Sequence, residues 1–302
     1  MTARHHDVTD AAESDPDLRR SVRVGLVGRG IQLSRTPRMH EAEGAAMGIG
    51  YRYDLLDTDA DIQGSLADIV SQAEADGFAG LNVTYPYKQD ALALLDTLSD
   101  AAARVGAVNT IVFRDGKRFG HNADFWGFAE SLRQGLPGVT LGTVLLIGAG
   151  GAGGAVAHAL ADLGARHILI SDTRRAAAHT LAAQVNAAAG RADAASVAES
   201  LETAARYADG IVNATPVGMA KLPGSPLDAS LLEPRHWVAD IVYFPLETAL
   251  LRAAAATGCR TLSGEGMAIF QAARAFELFT GKSPDPARMR ATFRAMGDRG
   301  TA

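Results

Sequence analysis

The sequence predicts an α/β protein whose second half forms a doubly wound parallel sheet. From residue 143 onward, short apolar runs alternate with segments rich in helix-forming residues, which is typical of βαβ units. Within this pattern a glycine-rich segment, 148–154, joins the apolar run 143–147 to the helix-forming segment 155–163. The order strand, tight turn, helix is therefore predicted there. At 302 residues the chain is long enough for two domains.

Composition excludes several classes of protein. The chain is 47% hydrophobic and 21% charged, as expected for a globular protein. Its net charge of -5 and the lack of a basic stripe argue against a nucleic-acid partner. The single Cys259 permits no intrachain disulfide and no cysteine metal site, and no metal is expected. No apolar run approaches the roughly 18 residues of a membrane span, and the polar residues 1–20 are expected to form a flexible tail, so we expect a cytoplasmic protein.

Apolar runs in the first half predict four strands, over residues 21–28, 51–56, 78–83 and 106–112. The connections contain apolar residues at helical spacing, and they predict helices over 62–75, 92–95, 101–105 and 125–136. Strands and helices thus alternate in this half as well.

Two hydroxyl side chains, Ser34 and Thr36, stand at an expected helix start after the first strand. Thr36 can cap the helix, with Pro37 at its first position. Hydroxyls beside the free N–H groups of a helix N-terminus make a suitable binding site for a carboxylate. An ordinary helix cap would use the same residues.

Lys88 and Asp124 are candidates for proton transfer. Pro86 favours a helix start and would place Lys88 in the first helical turn, where the positive end of the helix dipole disfavours a cation. A lysine in such a place is a functional candidate, although a solvated surface lysine is the alternative. Asp124 opens a predicted helix and would alone be interpreted as its N-cap. It gains interest only in combination with Lys88.

Gly148, Gly150 and Gly153 follow the spacing GxGxxG. Such glycines let the backbone approach the phosphates of a dinucleotide, and the following helix supplies free N–H groups. The next apolar run, 167–171, is followed by Asp172, about 20 residues beyond the loop, where an acid can bind the adenosine ribose. A glycine turn that only packs a helix on a sheet is the alternative.

The remaining segments continue the alternation of strands and helices. Strands are predicted over 209–213 and 237–242, with a short extended piece at 261–262. Helices are predicted over 176–189, 200–207, 247–256 and 264–279. The loop 213–219 follows the carboxyl end of a strand, the edge at which ligands bind in open α/β sheets. Met267 and Gln271 are four residues apart and can share one helix face.

Eight separated motifs resemble the shikimate dehydrogenase family and occur in that family's order, from about residue 21 onward. They are VGLVGRGIQLSRTPRMH (24–40), NVTYPYK (82–88), GAVN (106–109), GHNAD (120–124), GAGGAGG (148–154), NATPVGM (213–219), DIVYFPLETALL (240–251) and GEGMAIFQ (264–271). Within the family the chain is most similar to the branch that acts on quinate and shikimate with NAD.

The resemblance implies two α/β domains with an active-site groove between them. Residues 21–124, completed by 264–302, would bind the substrate and carry catalysis, and residues 125–263 would form a Rossmann-like NAD-binding domain. Lys88 and Asp124 would be the catalytic pair. The substrate side would consist of Ser34, Thr36, Asn82, Thr84, Asn109, Tyr243 and Gln271. The cofactor side would consist of Gly148, Gly150, Gly151, Ala152, Gly153, Asp172, Thr215, Pro216, Met219, Val242, Gly264 and Met267.

The reaction implied by the resemblance is reversible oxidation of the C3 ring hydroxyl of quinate, shikimate or both to the 3-dehydro compound. The hydroxyl proton must leave, a hydride must move to the nicotinamide, and both reactants must be held close together. Lys88 paired with Asp124 can accept and return the proton. The sequence leaves open whether Lys88 is the base or a charge that stabilises the alkoxide, and which substrate and direction prevail. The expected partners are these small molecules, with the chain a monomer or a homodimer.

Two positions depart from the common family pattern. The usual motif has two serines where this chain has Ser34 and Thr36, and in the resembling quinate/shikimate group a threonine accompanies acceptance of quinate. Members that use the phosphorylated cofactor usually carry Asn-Arg at the two positions where this chain has Asp172-Thr173. That carboxylate would repel a 2′-phosphate and accept hydrogen bonds from free ribose hydroxyls, which predicts NAD. The neighbouring Arg174 and Arg175 could still bind a phosphate.

Other functions stay open at this point. An NADP-dependent biosynthetic shikimate dehydrogenase, or an enzyme for amino-substituted shikimate or quinate, would differ around Thr36 and Gln271. A dinucleotide-sensing regulatory protein with this fold would not need both Lys88 and Asp124. A folate-linked dehydrogenase with a similar glycine loop would not explain Ser34 and Thr36 together with Asn109 and Asp124.

Overall fold

The computed structural model describes residues 21–60 and 64–297. The tail expected over residues 1–20 and the expected helix start at residue 62 lie outside the described residues. Within the described part, the chain forms two six-stranded sheets, each covered by helices. In that same part, no helix is both long and apolar enough to cross a membrane.

The first sheet is mixed. Its strands are β1 (Val22–Gly28), β2 (Tyr51–Asp57), β3 (Gly80–Val83), β4 (Thr97–Leu98), β5 (Thr110–Arg114) and β6 (Lys117–His121). The spatial order is β2-β1-β3-β5-β6-β4. β1 pairs in parallel with β2 and β3, whereas β5 runs antiparallel to both β3 and β6. The helices of this half are α1 (Thr36–Ala46), α2 (Leu66–Ala75) and α3 (Asp100–Val105), with a 3-10 helix at Asp90–Leu94.

The second sheet is entirely parallel. Its strands are β7 (Thr143–Ile147), β8 (His167–Ser171), β9 (Ala195–Val197), β10 (Gly210–Asn213), β11 (Trp237–Asp240) and β12 (Arg260–Leu262). Its helices are α5 (Gly151–Asp162), α6 (Arg175–Ala189), α7 (Leu201–Tyr207) and α8 (Ala249–Thr257). The order β12-β11-β10-β7-β8-β9 confirms the predicted doubly wound arrangement. The strand order reverses between β10 and β7, and the crevice beyond their carboxyl ends is a natural ligand site.

Helices α4 (Ala123–Gly135) and α9 (Glu265–Thr280) connect the two sheets. Their backbones approach closely at two glycines, because a Cβ on Gly127 would lie 2.8 Å from the backbone N of Gln271, and one on Gly266 would lie 2.2 Å from Oγ of Ser131. α4 buries Phe128 in the core of the second sheet, whereas α9 buries residues against the first sheet. The domain division expected after residue 124 falls in the first turn of α4, and it stays a prediction.

The connections depart from the predicted elements at several places. Residues 106–109 form a loop, and the strand expected from 106 begins at Thr110 because Gly106 ends α3 in the left-handed conformation. β6 was not predicted. It pairs with β5 through a two-residue turn in which Asp115 and Gly116 both have positive φ, as a tight hairpin requires. β4, β9 and the C-terminal helix α10 (Pro286–Ala295) were not predicted either.

Two predicted helix caps are wrong. Thr36 is the first residue of α1 and not its cap; Arg35 occupies the cap position and makes no side-chain capping bond. Asp124 lies inside the first turn of α4, and Asn122 caps that helix by accepting a hydrogen bond from the N–H of Phe125 at 3.0 Å. Each cap therefore stands one or two residues before the predicted position.

The helix expected to start at Pro86 does not form there. Residues 85–89 make turns that follow a cis Tyr85–Pro86 peptide bond, and the 3-10 helix begins only at Asp90. Lys88 therefore lies in a turn. The electrostatic reason for singling it out, an unfavourable helix dipole, is wrong.

Helix α10 is fastened to the rest of the fold by two bidentate ion pairs. Arg288 donates two hydrogen bonds of 2.7 Å to Glu43 of α1, whose side chain is fully buried. Arg294 donates two hydrogen bonds, of 2.5 and 2.7 Å, to Glu265 at the start of α9. Since planar guanidinium and carboxylate groups match in this geometry, the two pairs fix the orientation of α10.

The substitution Glu43→Gln is expected to lower the melting temperature by several degrees. It removes the charge that faces Arg288 and leaves a buried amide that cannot accept the same set of hydrogen bonds. Thermal unfolding followed by circular dichroism measures the change. Glu247→Gln is the control, since Glu247 is 74% exposed and lies 3.9 Å from Arg252, and exposed pairs of this kind contribute little. Equal melting temperatures for both variants would contradict the structural role of the Glu43 pair.

Candidate active site

A cavity of about 210 Å³ lies between the two halves of the chain. Eleven residues predicted for the site line it: Ser34, Thr36, Asn82, Thr84, Lys88, Asn109, Asp124, Ala152, Tyr243, Met267 and Gln271. Eight further lining residues were not predicted: Leu26, Arg35, Met39, Tyr53, Val83, Ile241, Ala268 and Phe293. The apolar members of this second set carry no sequence signal that separates them from core residues.

Lys88 and Asp124 meet on the wall of the cavity. The Nζ atom of Lys88 lies 2.6 Å from Oδ2 of Asp124, and the two side chains are 21% and 11% exposed. An ammonium–carboxylate contact of this length is a strong, charge-assisted hydrogen bond. The lysine stem also reaches the second half of the chain, because a Cβ on Gly151 would lie 3.8 Å from Cδ of Lys88. The pair therefore stands where the cavity meets the glycine loop.

Hydrogen bonds to residues 107–109 fix the positions of the two members of this pair. The N–H of Val108 donates to the carbonyl of Lys88 at 2.8 Å. The side chain of Asn122 donates to the carbonyl of Ala107 at 3.0 Å, which ties the start of α4 to the same segment. Residues 107–109 thus act as the common support of Lys88 and Asp124.

The loop that carries Ser34 and Thr36 is held by one buried carboxylate. Asp57, at the end of β2, accepts hydrogen bonds from the N–H groups of Asp59, Gly30 and Ile31 at 2.8–3.1 Å, and from the side chain of Gln32 at 3.0 Å. These donors, the N–H of Asp59 first, hold the pKa of Asp57 below its usual value. These bonds anchor residues 30–32, the part of the chain that leads into Ser34 and Thr36.

The three glycines of the GxGxxG motif meet three separate requirements. Gly148 has φ of 110°, and a Cβ there would lie 2.8 Å from the backbone of Ala214. Gly150 has open space around its Cβ position, and a Cβ on Gly153 would lie only 2.1 Å from the carbonyl oxygen of Gly148. Turn, open backbone and close packing are the roles that a dinucleotide-binding loop assigns to these glycines.

Helix α5 begins at Gly151, four residues before its predicted start. Its first helical hydrogen bond joins the N–H of Gly154 to the carbonyl of Gly150 at 2.9 Å. The N–H groups of Gly151, Ala152 and Gly153 precede this bond and lie outside the helical ladder, as in the first turn of any helix. They form the kind of N-terminal end that binds a pyrophosphate.

Asp172 supports the glycine loop from the end of β8. Its Oδ2 accepts the N–H of Ala149 at 2.7 Å, and its Oδ1 accepts the N–H of Arg174 at 2.8 Å. A carboxylate offers about four lone-pair sites, so each oxygen can accept one more hydrogen bond. The Arg174 side chain is 73% exposed and its Nε lies 3.7 Å from the carboxylate, a loose ion pair at this edge.

A buried polar network shapes the loop 214–219 after β10. The side-chain oxygen of Asn213 accepts the N–H and the hydroxyl of Thr215 at 2.9 and 2.7 Å. The Asn213 amide donates to the carbonyl of Val217 and to Asp240, each at 2.9 Å, and Asp240 also accepts the hydroxyl of Thr248 at 2.7 Å. Burial raises the pKa of Asp240. These bonds hold the loop at the carboxyl edge of the second sheet.

The other predicted cofactor residues lie outside the cavity but along this same edge. They follow β7, β8, β10, β11 and β12, and they are Gly148, Gly150, Gly151, Gly153, Asp172, Thr215, Pro216, Met219, Val242 and Gly264. Position 264 requires glycine, because a Cβ there would lie only 2.4 Å from the carbonyl oxygen of Ile241. Among the described residues, no group of three or more His, Cys, Asp and Glu side chains could hold a metal ion.

Known proteins with similar sequences and structures match nearly the whole chain. The shikimate dehydrogenase substrate-binding domain matches residues 26–111, and the shikimate 5'-dehydrogenase C-terminal domain matches residues 264–292. A quinate/shikimate dehydrogenase (NAD(+)) from Corynebacterium efficiens is 51% identical, over 90% of this chain and 98% of its own length. A shikimate dehydrogenase (NADP(+)) from Streptomyces avermitilis is 52% identical, over 88% of this chain and 92% of its own.

The structural comparison agrees with these matches. The solved quinate dehydrogenase from Corynebacterium glutamicum in complex with NAD has a TM-score of 0.87 and 47% identity, covering 91% of this chain and 99% of its own. The two-domain α/β fold is confirmed. This chain belongs to the shikimate dehydrogenase family.

Gly153→Ala is expected to weaken binding of NAD more than tenfold. The added Cβ would collide with the Gly148 carbonyl, so the loop must move away from its phosphate-binding shape. Gly154→Ala is the matched control, because its Cβ would meet its nearest neighbours at 3.7 Å, an ordinary contact. Titration calorimetry with NAD measures both variants. Similar affinities for the two would show that the close approach at Gly153 does not shape the binding loop.

Proposed function

We propose that this protein is an NAD-dependent quinate/shikimate dehydrogenase. It would oxidise the C3 ring hydroxyl of quinate, shikimate or both to the 3-dehydro compound, reversibly. The observation that carries the proposal is the Lys88–Asp124 pair, joined at 2.6 Å on the cavity wall next to the glycine loop. The names of relatives about 50% identical, and the NAD in the solved quinate dehydrogenase, support the same function.

The substrate acid would enter with its carboxylate toward the first half of the chain. Ser34 and Thr36 would bind that carboxylate with the help of the Tyr243 hydroxyl, since all three line one cavity. Asn82, Thr84 and Asn109 would bind the ring hydroxyls, since they line the same cavity: Asn82 lies in β3, Thr84 follows β3 and Asn109 precedes β5. Gln271, on α9, would also contact the ring, because it lines the same cavity.

Lys88 and Asp124 would accept and return the proton of the reacting hydroxyl. As an ammonium and a carboxylate, the pair stabilises negative charge on the substrate oxygen and accepts its hydrogen bond. Once Lys88 has given up a proton, its amine can take the proton of the reacting hydroxyl while Asp124 orients both groups. When bound, the nicotinamide supplies the hydride acceptor.

The glycine loop fits the pyrophosphate of a dinucleotide, because Gly150 is open and the N–H groups of the first turn of α5 are free of the helical ladder. Asp172 favours NAD, because its carboxylate can accept ribose hydroxyls and repels a 2′-phosphate. Thr215, Met219 and Met267 would line the nicotinamide side.

Because one chain supplies both walls of the cavity, a monomer holds a whole site, and we propose a monomer or a homodimer.

Lys88→Met is expected to lower kcat by about 10²–10⁴-fold, the range for loss of a positioned proton-transfer group. The substitution keeps the length of the side chain, so binding of shikimate should weaken much less than turnover. Steady-state kinetics and calorimetry with shikimate measure the two effects. Lys117→Met, at the exposed hairpin between β5 and β6, is the control and should leave kcat unchanged. Turnover near that of the unmodified protein in Lys88→Met would refute the assignment.

Initial rates with shikimate and quinate, each with NAD and with NADP, test the function as a whole. We expect catalytic efficiency to be at least tenfold higher with NAD, because the Asp172 carboxylate disfavours a 2′-phosphate. Asp172→Asn should reduce that preference, since the amide keeps an acceptor for the Ala149 N–H and removes the charge.

Asp193→Asn is the control for this substitution, because Asp193 is 81% exposed and forms an ion pair with its neighbour Arg191 at the surface. A clear preference of the unmodified protein for NADP would overturn the cofactor proposal. It would favour an NADP-dependent shikimate dehydrogenase, as the Streptomyces avermitilis relative is named. Lack of turnover with all four combinations would overturn the proposed reaction.

A further inference from the structure

Two buried hydroxyl groups are hydrogen-bonded to the asparagines of the cavity. Tyr53 on β2 is 5% exposed and Thr110 on β5 is fully buried. Asn82 and Asn109, which line the cavity, are 5% and 4% exposed. The family resemblance implies substrate contacts for the asparagines, and it leaves the two hydroxyls without a role.

The hydrogen bonds of Asn82 determine which of its atoms is available. Its amide nitrogen donates both hydrogens inside the protein, to the carbonyl of Asn109 at 3.2 Å and to Oγ1 of Thr110 at 3.0 Å. Its oxygen accepts the hydroxyl of Tyr53 at 2.7 Å and keeps one lone pair. Toward a ligand, Asn82 can therefore act only as an acceptor.

Asn109 is fixed in the opposite sense. Its side-chain oxygen accepts the hydroxyl of Thr110 at 3.1 Å and the N–H of Ala123, at the start of α4, at 2.7 Å. Both lone pairs of that oxygen are thus in use. The amide nitrogen is the group that Asn109 can offer to a ligand, and it can only donate.

The chain of hydrogen bonds runs in one direction. Tyr53 donates to Asn82, Asn82 donates to Thr110, and Thr110 donates to Asn109. Burial raises the pKa of Tyr53, so its hydroxyl stays protonated and remains a donor. Bonds linked head to tail polarise one another, which strengthens the final donor at Asn109.

We propose that Thr110 and Tyr53 are positioning residues that make Asn109 a hydrogen-bond donor and Asn82 an acceptor for two hydroxyls of the substrate ring. The inference rests on the proposed function, because it takes the ligand to be a polyhydroxylated ring acid. The Thr110 hydroxyl is the decisive group. It accepts from one asparagine and donates to the other, so its loss removes one hydrogen bond from each amide and breaks the chain between them.

Thr110→Val tests this role, because it keeps the shape of the side chain and removes only the hydroxyl. We expect kcat/KM for shikimate to fall about 10–100-fold, with the KM for NAD unchanged. Thr110→Ser, which restores the hydroxyl, should stay within about threefold of the unmodified protein. Tyr53→Phe removes the first donor of the chain and should cost about 3–10-fold.

Shikimate analogues that lack the C4 or the C5 hydroxyl separate positioning from general damage to the fold. With the analogue that lacks the hydroxyl bound by Asn109, Thr110→Val should lose little further activity relative to the unmodified protein. Equal losses with shikimate and with both analogues would overturn the inference, as would an unchanged kcat/KM in both Thr110→Val and Tyr53→Phe. Failure of the proposed function is distinguishable, since the unmodified protein would then not turn over shikimate or quinate at all.

Discussion

The contact between Lys88 and Asp124 depends on a short segment that neither residue belongs to. Residues 107–109 bind the turn of Lys88 through the N–H of Val108 and bind the first turn of α4 through the carbonyl of Ala107 and the side chain of Asn109. The positions of the ammonium and the carboxylate therefore depend on one backbone hydrogen bond and two bonds of buried asparagine side chains. Because these groups are held by the fold, the 2.6 Å contact is supported by packed elements on both sides.

Helix α4, whose first turn carries Asp124, also packs between the two sheets. α4 packs on α9 through the close approaches at Gly127 and Gly266, where larger residues would push the helices apart. Gln271 is on the face of α9 that meets Gly127, and Met267 lies one turn before it. A change in the spacing of these helices would therefore move Asp124 relative to Gln271, and so move the Lys88–Asp124 pair relative to the part of the cavity that α9 lines.

Much of this arrangement follows from local sequence patterns, and the rest depends on strand pairing. The parallel second sheet and its glycine loop were predictable because alternating apolar runs and GxGxxG are local signals. The Asp115–Gly116 hairpin and the start of α10 at Asp285–Pro286 also carried local signals, of turn and cap type, that were not used. Lys88 was found by resemblance to a family, and the dipole argument offered for it was wrong.

The hydrogen bonds of Tyr53 and Thr110 to the asparagines could not have been predicted in this way. Tyr53 lies opposite Val24, and Asn82 lies opposite both Leu26 and Thr110, so the hydroxyl of Tyr53 reaches Asn82 across an intervening strand. The sheet order β2-β1-β3-β5 is not visible in the sequence of any one of these strands. Polar residues that act through such a register look like ordinary strand residues until the register is known.

The C-terminal helix shows how a distant segment becomes part of the cavity. Phe293 of α10 lines the cavity and packs edge-on against Tyr243, with ring centroids 6.2 Å apart. The guanidinium of Arg35, between Ser34 and Thr36, lies 4.8 Å from the centre of the Phe293 ring. A cation over an aromatic face is attracted to it, more strongly where water is excluded. The ion pairs of Arg288 and Arg294 fix the helix that carries this ring, so the orientation of α10 affects the shape of the cavity near Ser34 and Thr36.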